Sequence, residues 1–534
     1  MSIGFAVPAQ AERPTLRPVV LPVGGSRVNS RLISAAVSAL AGVNRRTAQQ
    51  NWLRAIARLV ELSRPDLSEQ LLEHLGVTAA AETPLVGMSI GELGVVYEAL
   101  LALSDHSARR SQGQYFTPDD VASFLAAEGR RFSDGTWLDP CCGVGNLSWH
   151  LAQAQVDPHE FVTERLWLID LDPVALKTAV VLLTASFASW GAEDALPALA
   201  ARALRRDFLS SKALPLVDYA IVNPPYAQAP SRAGFRTADT RDLYAYFMER
   251  VAAVTTGFVA ITPASFLGGR RHQAVREILA ERNGGSVYVF DNVPDTAFRG
   301  FKYGSTNTSK TNFVRAAITV SDPSGSGWRI TPILRWAAAS RERMWAGARD
   351  FLTPLRTAPD GEWAKLMPGT EAVWDHLIDQ PSLGSLVSKE ETDYKLWVAS
   401  TPRYYISASK RPLDRGSQHI LSFRSEEERN RAYTLINSSL PYWWWRSLDG
   451  GITLQKRTLL SVPIPPALTV DHNLVRELEA SDEADIVIKL NAGRKNENVR
   501  RSRELVDRVD RAAVGSHFTF GFADVFAPDL FART

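Results

Sequence analysis

Apolar residues recur along this chain in two rhythms, and a change of rhythm near Trp137 divides it. From about Asn29 to about Ser104 the spacing is helical: Trp52, Leu53, Ile56, Leu59 and Val60 fall on one face, with arginines between them. The run SIGELGVVYEALLAL opens with Ser89 and Glu92 three apart, close to a capping box, and predicts one more helix. The bland reading of this region is a helical cap on the neighbouring domain. From Trp137 onward, short apolar runs alternate with helical segments. Runs at 166–169, 217–222, 258–262, 287–290 and 313–320, and one ending near Asp207, read as strands. Segments starting at Val174, Leu243 and Arg271 read as helices. That alternation predicts a parallel sheet with helices on both faces. Beyond about Ser321 the texture shifts again. SDPSGSG reads as a linker or hairpin tip, and the rest mixes short strand-like runs with tryptophans and arginines. Residues 489–511 alternate both signs of charge and read as a solvated helix face. The expected organisation is a mobile arm at 1–28, a helical region at 29–110, an α/β domain at 111–320, and a mixed α/β region with C-terminal helices at 321–534.

The run 137–147, WLDPCCGVGNL, organises the α/β part. An apolar strand ends in Asp139, and Gly143-x-Gly145 turns the chain into a helix, where glycine lets backbone pass close to a ligand. Gly-x-Gly after a strand also serves dinucleotides. Asp139 shifts the reading, because a carboxylate beside the turn suits a cationic group rather than a pyrophosphate. In parallel sheets ligands sit at the carboxyl ends of strands. Asp139, Asp170, Asp207 and Asn223 stand, in order, at four successive predicted strand ends. Any one of them alone is a routine cap or loop residue; four together point to a binding edge. Thr117-Pro118-Asp119-Asp120 is, read locally, a good helix start: a cap, a first-turn proline and acids at the positive dipole end.

Composition narrows the class only modestly. The chain has 534 residues, 45% hydrophobic and 22% charged, with a formal net charge of +2. This fits an ordinary globular protein in which any nucleic-acid surface must be local. Its two cysteines, Cys141 and Cys142, are adjacent. They offer neither a disulfide framework nor metal-ligand spacing, so no metal is expected, and a reducing, cytoplasmic setting is. The first residues make a poor signal peptide, and no membrane span is expected. In the C-terminal region Tyr442-Trp443-Trp444-Trp445-Arg446 lies near Arg403, Lys410, Arg411, Arg415, Lys456 and Arg457 in sequence. Interleaved rings and cations fit a nucleic-acid surface, although at least half of such rings are ordinarily core.

Asn223-Pro224-Pro225-Tyr226 directly follows an apolar run. Two prolines fix the backbone and leave their carbonyls free. An exocyclic amine such as adenine N6 is a poor nucleophile because its lone pair is spread into the ring. If its hydrogens are accepted by the Asn223 side-chain oxygen and the Pro224 carbonyl, the nitrogen can turn tetrahedral and aim its lone pair at an electrophilic methyl. Positioning and electrostatics then suffice without a strong base. Tyr226 offers a face for stacking a base taken out of a helix.

Together GQYFTP, DPCCGVGNL and NPPY, in that order, resemble the S-adenosylmethionine (AdoMet)-dependent adenine-N6 DNA methyltransferases of the gamma arrangement, found in restriction–modification systems. The resemblance covers about Ser89 to Val320 well and the C-terminal region loosely. It implies a class I, Rossmann-like methyltransferase domain with a doubly wound, mostly parallel sheet, followed by a target-recognition domain. It implies that Tyr115 and Thr117 bind the carboxyl end of AdoMet, against the local cap reading of Thr117. Asp139 would meet the methionine ammonium, and Gly143 and Gly145 would make room for the cofactor. Asp170 would bind the ribose hydroxyls, with Leu171 against the adenine. Asp207 would accept from the cofactor's adenine amine, with Phe208 packed on that ring. Asn223, Pro224 and Tyr226 would be catalytic, and Phe298, in VPDTAFRG, would join Tyr226 on the target base. Residues 299–311 look inserted, so Phe313 stays a rival for that role. The implied partners are double-stranded DNA and a separately encoded restriction endonuclease, since no nuclease pattern stands out in residues 1–110, and the protein is expected to be a monomer. Related chemistry occurs in enzymes acting on RNA adenines and protein glutamines, and a non-catalytic DNA-binding subunit is a further alternative.

Overall fold

The computed structural model describes residues 20–532 apart from 27, 105–116, 211, 299–301, 304–305, 308–314, 403–404, 450, 452, 492–493 and 516–526. Most of the expected arm, and Tyr115, Phe313 and Arg403, therefore lie outside the described residues. The centre is a nine-stranded sheet. Its strands are β1 (Trp137–Asp139), β2 (Leu166–Asp170), β3 (Ala203–Arg205), β4 (Tyr219–Val222), β5 (Gly257–Pro263), β6 (Gly284–Phe290), β7 (Ala316–Ser321), β8 (Gly327–Leu334) and β9 (Thr353–Pro354). Across the sheet they run β3-β2-β1-β4-β5-β7-β6-β8-β9. From β3 to β5 every pair is parallel. β7 then inserts antiparallel between β5 and β6. This is a class I, Rossmann-like methyltransferase domain. The middle strands are mostly apolar because helices cover both faces: β4 is fully buried along its length, as are all of β5's residues but Pro263.

The sheet does not stop where the apolar pattern suggested. β8 pairs parallel with β6, and β9 closes the edge antiparallel to β8. The expected boundary at 320/321 therefore falls inside the sheet. Residues 322–327 are neither a linker nor a simple hairpin tip. They step over the start of β6, with Asp322 N donating to Gly284 O at 3.0 Å and Gly327 N to Asn283 O at 2.9 Å.

The N-terminal helices α1 (Ser30–Leu40), α2 (Arg45–Ser63), α3 (Ser68–Leu75) and α4 (Ile90–Ser104) lean on one face of the sheet through α7 (Pro173–Phe187). Trp52, Ile56 and Val60 share a core with Val180 and Leu183, and Trp52 Nε1 donates to Thr178 Oγ1 at 3.0 Å. Between them, α5 (Asp119–Gly129) and α6 (Asn146–Gln153) pack together against β4 and β5. No helix among the described residues is long and apolar enough to cross a membrane.

The C-terminal region forms a second core beginning near Ala358. At its centre lies the helix Leu440–Leu448, every residue of which is buried. Trp444 stacks on Trp374 with ring centroids 4.9 Å apart. The aromatic run is thus interior and forms no nucleic-acid surface. Most of the cations near it in sequence are also committed internally. Lys410 bonds Glu479 and Asn430, Arg411 pairs with Glu497, Arg457 pairs with Asp360 and Glu362, and Arg415 bonds Thr401 and Asn498. The expected solvated helix at 489–511 is instead a hairpin, Ile486–Asn491 with Arg494–Val499, followed by a helix, Arg503–Val514. Ile486, Ile488 and Leu490 alternate with period two, which suits a strand and not a helix.

Candidate active site

The carboxyl ends of β1, β2, β3 and β4 open onto one cavity of about 610 Å³, within the range of small-molecule sites. Asp139, Asp170, Asp207 and Asn223 all line it, so the four strand-end residues are brought together. Asp139 is 1% exposed. Its Oδ2 accepts from Ser148 Oγ at 2.8 Å and its Oδ1 from Cys141 N at 3.4 Å. Burial pushes its carboxyl up to about 7 against those bonds, and the nearby charge of Asp170 adds to the rise. Asp170 clips two loops together: Oδ2 accepts from Gly143 N and Oδ1 from Asp172 N, both at 2.8 Å. Burial raises its carboxyl as well. Neither acid has a basic side chain in ion-pair contact among the described residues. Two buried carboxyls without cations, facing one cavity, are a donor set for a ligand that brings its own positive charge.

The two glycines of the turn have different duties. Both have positive φ, +53° at Gly143 and +93° at Gly145. A Cβ on Gly143 would meet nothing within 4 Å, and Gly143 lines the cavity. Gly145 does not line it; a Cβ there would come within 3.1 Å of Ala179 Cβ on α7. The expectation was that Gly145 makes room for a cofactor; what the geometry shows is that its missing side chain lets α7 pack close.

Leu171 is 65% exposed, an apolar side chain standing at the cavity edge. Phe208 is buried against Phe247, with centroids 5.3 Å apart, and forms part of the wall. Asp207 accepts from Leu209 N at 2.9 Å and pairs with Arg232 at 3.2 Å, so any ligand donor must share it with that arginine.

Thr117 is not the helix cap that its local sequence suggested. Pro118 occupies the N-cap position of α5. The Thr117 hydroxyl instead accepts from Asn223 Nδ2 at 2.8 Å, across 106 residues of sequence. That bond orients the Asn223 amide, putting its nitrogen on Thr117 and leaving its oxygen as the acceptor that the chemistry calls for. Asn146 supports the pair, with Nδ2 donating to Thr117 O at 2.6 Å, and the Cys141 thiol donates to Asn223 O at 3.2 Å. Burial and the charges of Asp139 and Asp170 hold that thiol protonated. Sequence reading did not single out Asn146 or Cys141 as site residues. Their signal was available, since both flank the glycine turn.

Tyr226 donates its hydroxyl to Ile261 O at 2.9 Å, which fixes the ring beside the strand ends. Its ring meets Phe298 edge to face with centroids 5.7 Å apart. Phe298 is 2% exposed, so a base stacked between the two rings would have to part them. The N-terminal helices also reach the site. Tyr97 OH and Arg45 Nη2 both bond Asp172 Oδ2, at 2.8 and 3.1 Å, and both residues line the cavity. The helical region is therefore part of the wall as well as a cap.

Residues 88–252 match the family model described as N-6 DNA Methylase. No curated protein matches the chain. Among solved structures, a modification subunit of a putative type I restriction enzyme from Vibrio vulnificus YJ016 is 12% identical over 59% of this chain and 74% of its own, with a TM-score of 0.36. A putative class I S-adenosylmethionine-dependent methyltransferase from Listeria monocytogenes is 13% identical over 60% of this chain and 97% of its own, with a TM-score of 0.36. The type IIG restriction endonuclease BpuSI is 12% identical over 93% of this chain and 76% of its own, with a TM-score of 0.38.

Proposed function

We propose that this protein is a site-specific DNA methyltransferase that moves the methyl group of AdoMet to N6 of an adenine flipped out of duplex DNA, as the modification enzyme of a restriction–modification or similar defence system. The observation that carries the reading is the bond between Thr117 and Asn223 at the rim of a cavity holding two cation-free acids. AdoMet supplies an electrophilic methyl on a cationic sulfonium. Asp139 faces its ammonium, Asp170 its ribose hydroxyls and Leu171 its adenine, with Phe208 in the wall behind. The Thr117 hydroxyl has one hydrogen to donate while it accepts from Asn223, so it can hold a carboxylate and orient the amide at once. Asn223 Oδ1 and the Pro224 carbonyl accept the two hydrogens of the target amine, which localises its lone pair. Tyr226 and Phe298 stack on the extruded base, offsetting an unstacking cost of a few kcal/mol. The region after the sheet selects the DNA sequence, acting as a monomer beside a separately encoded endonuclease.

The test is transfer of labelled methyl from AdoMet by the purified chain to duplex DNA, to RNA and to protein, with mapping of methylated adenines in DNA from expressing cells. Label in adenine of duplex DNA, lost in Asn223→Ala while AdoMet still binds, supports the reading. Label confined to RNA or to glutamine moves the function to those substrates. AdoMet binding without transfer to any of them makes the chain a non-catalytic subunit.

A further inference from the structure

A second opening of about 1020 Å³ begins at Tyr226 and runs between the carboxyl edge of the sheet and the C-terminal region, past Asn292, Arg315 and Lys365 to Arg457. Two of its acids contact basic side chains, while Asp449 keeps one oxygen without a hydrogen bond among the described residues. Asp242 contacts His272 at 2.9 Å, Glu362 pairs with Arg457 at 2.7 Å, and Asp449 accepts from Gly451 N at 3.1 Å. Its cations converge at one point. Asp291, which follows β6 and is 2% exposed in its side chain, faces three guanidiniums: Arg315 Nε at 2.9 Å, Arg446 Nη2 at 2.8 Å and Arg335 Nε at 3.3 Å. Three guanidiniums converge on this one carboxylate, and Arg315 is the one that stands on the side of the opening, where an arriving anion can reach it. Lys365, buried beside them and donating to Trp363 O and Leu448 O, is pushed down to about 7, by burial first and by the field of Arg315 and Arg446 in addition.

Of the three arginines, Arg315 lines the opening. Its carbonyl accepts from Ala264 N at 2.9 Å, which seats it just before β7 and beside the end of β5, the strand whose Ile261 carbonyl holds the Tyr226 hydroxyl. Its Nε is committed to Asp291, and Nη1 and Nη2 make no bond among the described residues. A guanidinium pinned through Nε presents its two outer nitrogens as a fork, the geometry that grips phosphate.

We propose that Arg315 is a phosphate anchor, holding a backbone phosphate of the DNA strand that carries the target adenine, next to the ring of Tyr226. This rests on the reading of DNA as substrate. It adds the point where the strand is gripped. Asp291 keeps Arg335 and Arg446 when Arg315 is replaced, so the fold does not depend on it.

The test is the salt dependence of binding to a fluorescein-labelled duplex, read by anisotropy for the wild type, Arg315→Gln and Arg315→Lys. Arg315→Gln is expected to weaken binding about tenfold at low salt and to reduce the slope of log K against log salt by about 1. Arg315→Lys keeps the charge, so it should regain the slope, and AdoMet affinity should be unchanged in both. A wild-type slope in Arg315→Gln overturns the proposal, as does a loss in Arg315→Lys equal to that in Arg315→Gln. The two readings fail separately. Adenine methylation with an unchanged slope in Arg315→Gln removes only the anchor. A lowered slope in a chain that never methylates adenine supports the anchor and removes the proposed reaction.

Discussion

Asp139 shows how much a single buried carboxyl can report. Its carboxyl stands near 7 in the ligand-free protein, above the ordinary 3.8, so the folded state holds a proton that the unfolded chain has lost. Between about pH 4 and 7 the folded protein binds more protons than the unfolded one, and its stability falls as pH rises through that window. A cationic ligand reverses the preference and favours the carboxylate. AdoMet binding at pH 6 is therefore expected to release close to one proton, and affinity to rise up to about tenfold per pH unit as pH 7 is approached. Calorimetry in buffers of different ionisation enthalpy measures the proton count, and Asp139→Asn should remove it. If wild type and Asp139→Asn release the same number, Asp139 is not the group that meets the cation. Thr117 yields a second expectation. Thr117→Val removes both the acceptor for Asn223 and the donor for a carboxylate. It should raise the KM for AdoMet and lower kcat, each about tenfold for one lost hydrogen bond, and Thr117→Ser should restore most of both. A change in KM alone would show that the Asn223 contact is idle. These residues were legible to unequal degrees. Position at a strand end follows from sequence order, so Asp139, Asp170, Asp207 and Asn223 could be picked out together. The Thr117 contact could not, because its partner is 106 positions away and its local sequence is a sound helix start. Gly145 looked like Gly143, and only the placement of Ala179 separates their duties.

Among the elements, the alternating strands and helices from β1 to β6 were readable because each apolar run is short and bounded by turn residues. β8 was not. Its parallel partner β6 lies more than forty residues upstream, and the glycine- and serine-rich step before it has the composition of a linker. The helix Leu440–Leu448 misled in the opposite sense: rings and an arginine in one run resemble a binding surface until burial is known. Burial makes the test direct. Trp444→Ala should cost about 3–5 kcal/mol in urea denaturation, as large-to-small changes in packed cores do, whereas Lys456→Ala, exposed one helix later, should change little. A Trp444→Ala protein as stable as the wild type would return that ring to the surface. Another element holds Phe298 in place. The helix Arg341–Gly347 inserts Arg341, 1% exposed in its side chain, so that Nη1 bonds Thr296 O at 2.6 Å, Nη2 bonds Ala297 O at 2.8 Å and Nε bonds Asp120 Oδ2 at 2.5 Å. Sequence alone held no hint that an arginine beyond Ser321 buttresses a ring proposed for the target base.

At the scale of the whole molecule the sheet domain and the C-terminal part are interlocked, and this decides where the chain can be cut. The 527–532 segment returns to the sheet's far edge. Leu530 N donates to Arg335 O at 2.9 Å, Asp529 Oδ2 accepts from Ser340 Oγ at 2.5 Å, and the buried Phe531 ring meets Phe351 at 5.2 Å. Arg446, from the C-terminal core, pairs with Asp291, which follows β6 of the central sheet. A chain ending at residue 320 would lose β8 and β9 and part of β7's environment. It would leave β6, paired only with the antiparallel β7, as a bare edge, an aggregation hazard, and should be insoluble. A chain ending at residue 357 keeps all nine strands but loses the returning segment and Arg446. It should fold with reduced stability, bind AdoMet, and lose sequence-selective methylation, because the strands and the four strand-end residues are intact while the region proposed to choose the DNA site is gone. Phe531→Ala in the full chain isolates the clasp, with an expected loss of about 3 kcal/mol in stability and no change in which adenines are methylated. Thermal melts, AdoMet titration and methylation mapping on the three proteins separate these effects. If the chain ending at 357 still methylates the same sites as the full protein, sequence choice lies in the first 357 residues, and the C-terminal core serves some other purpose.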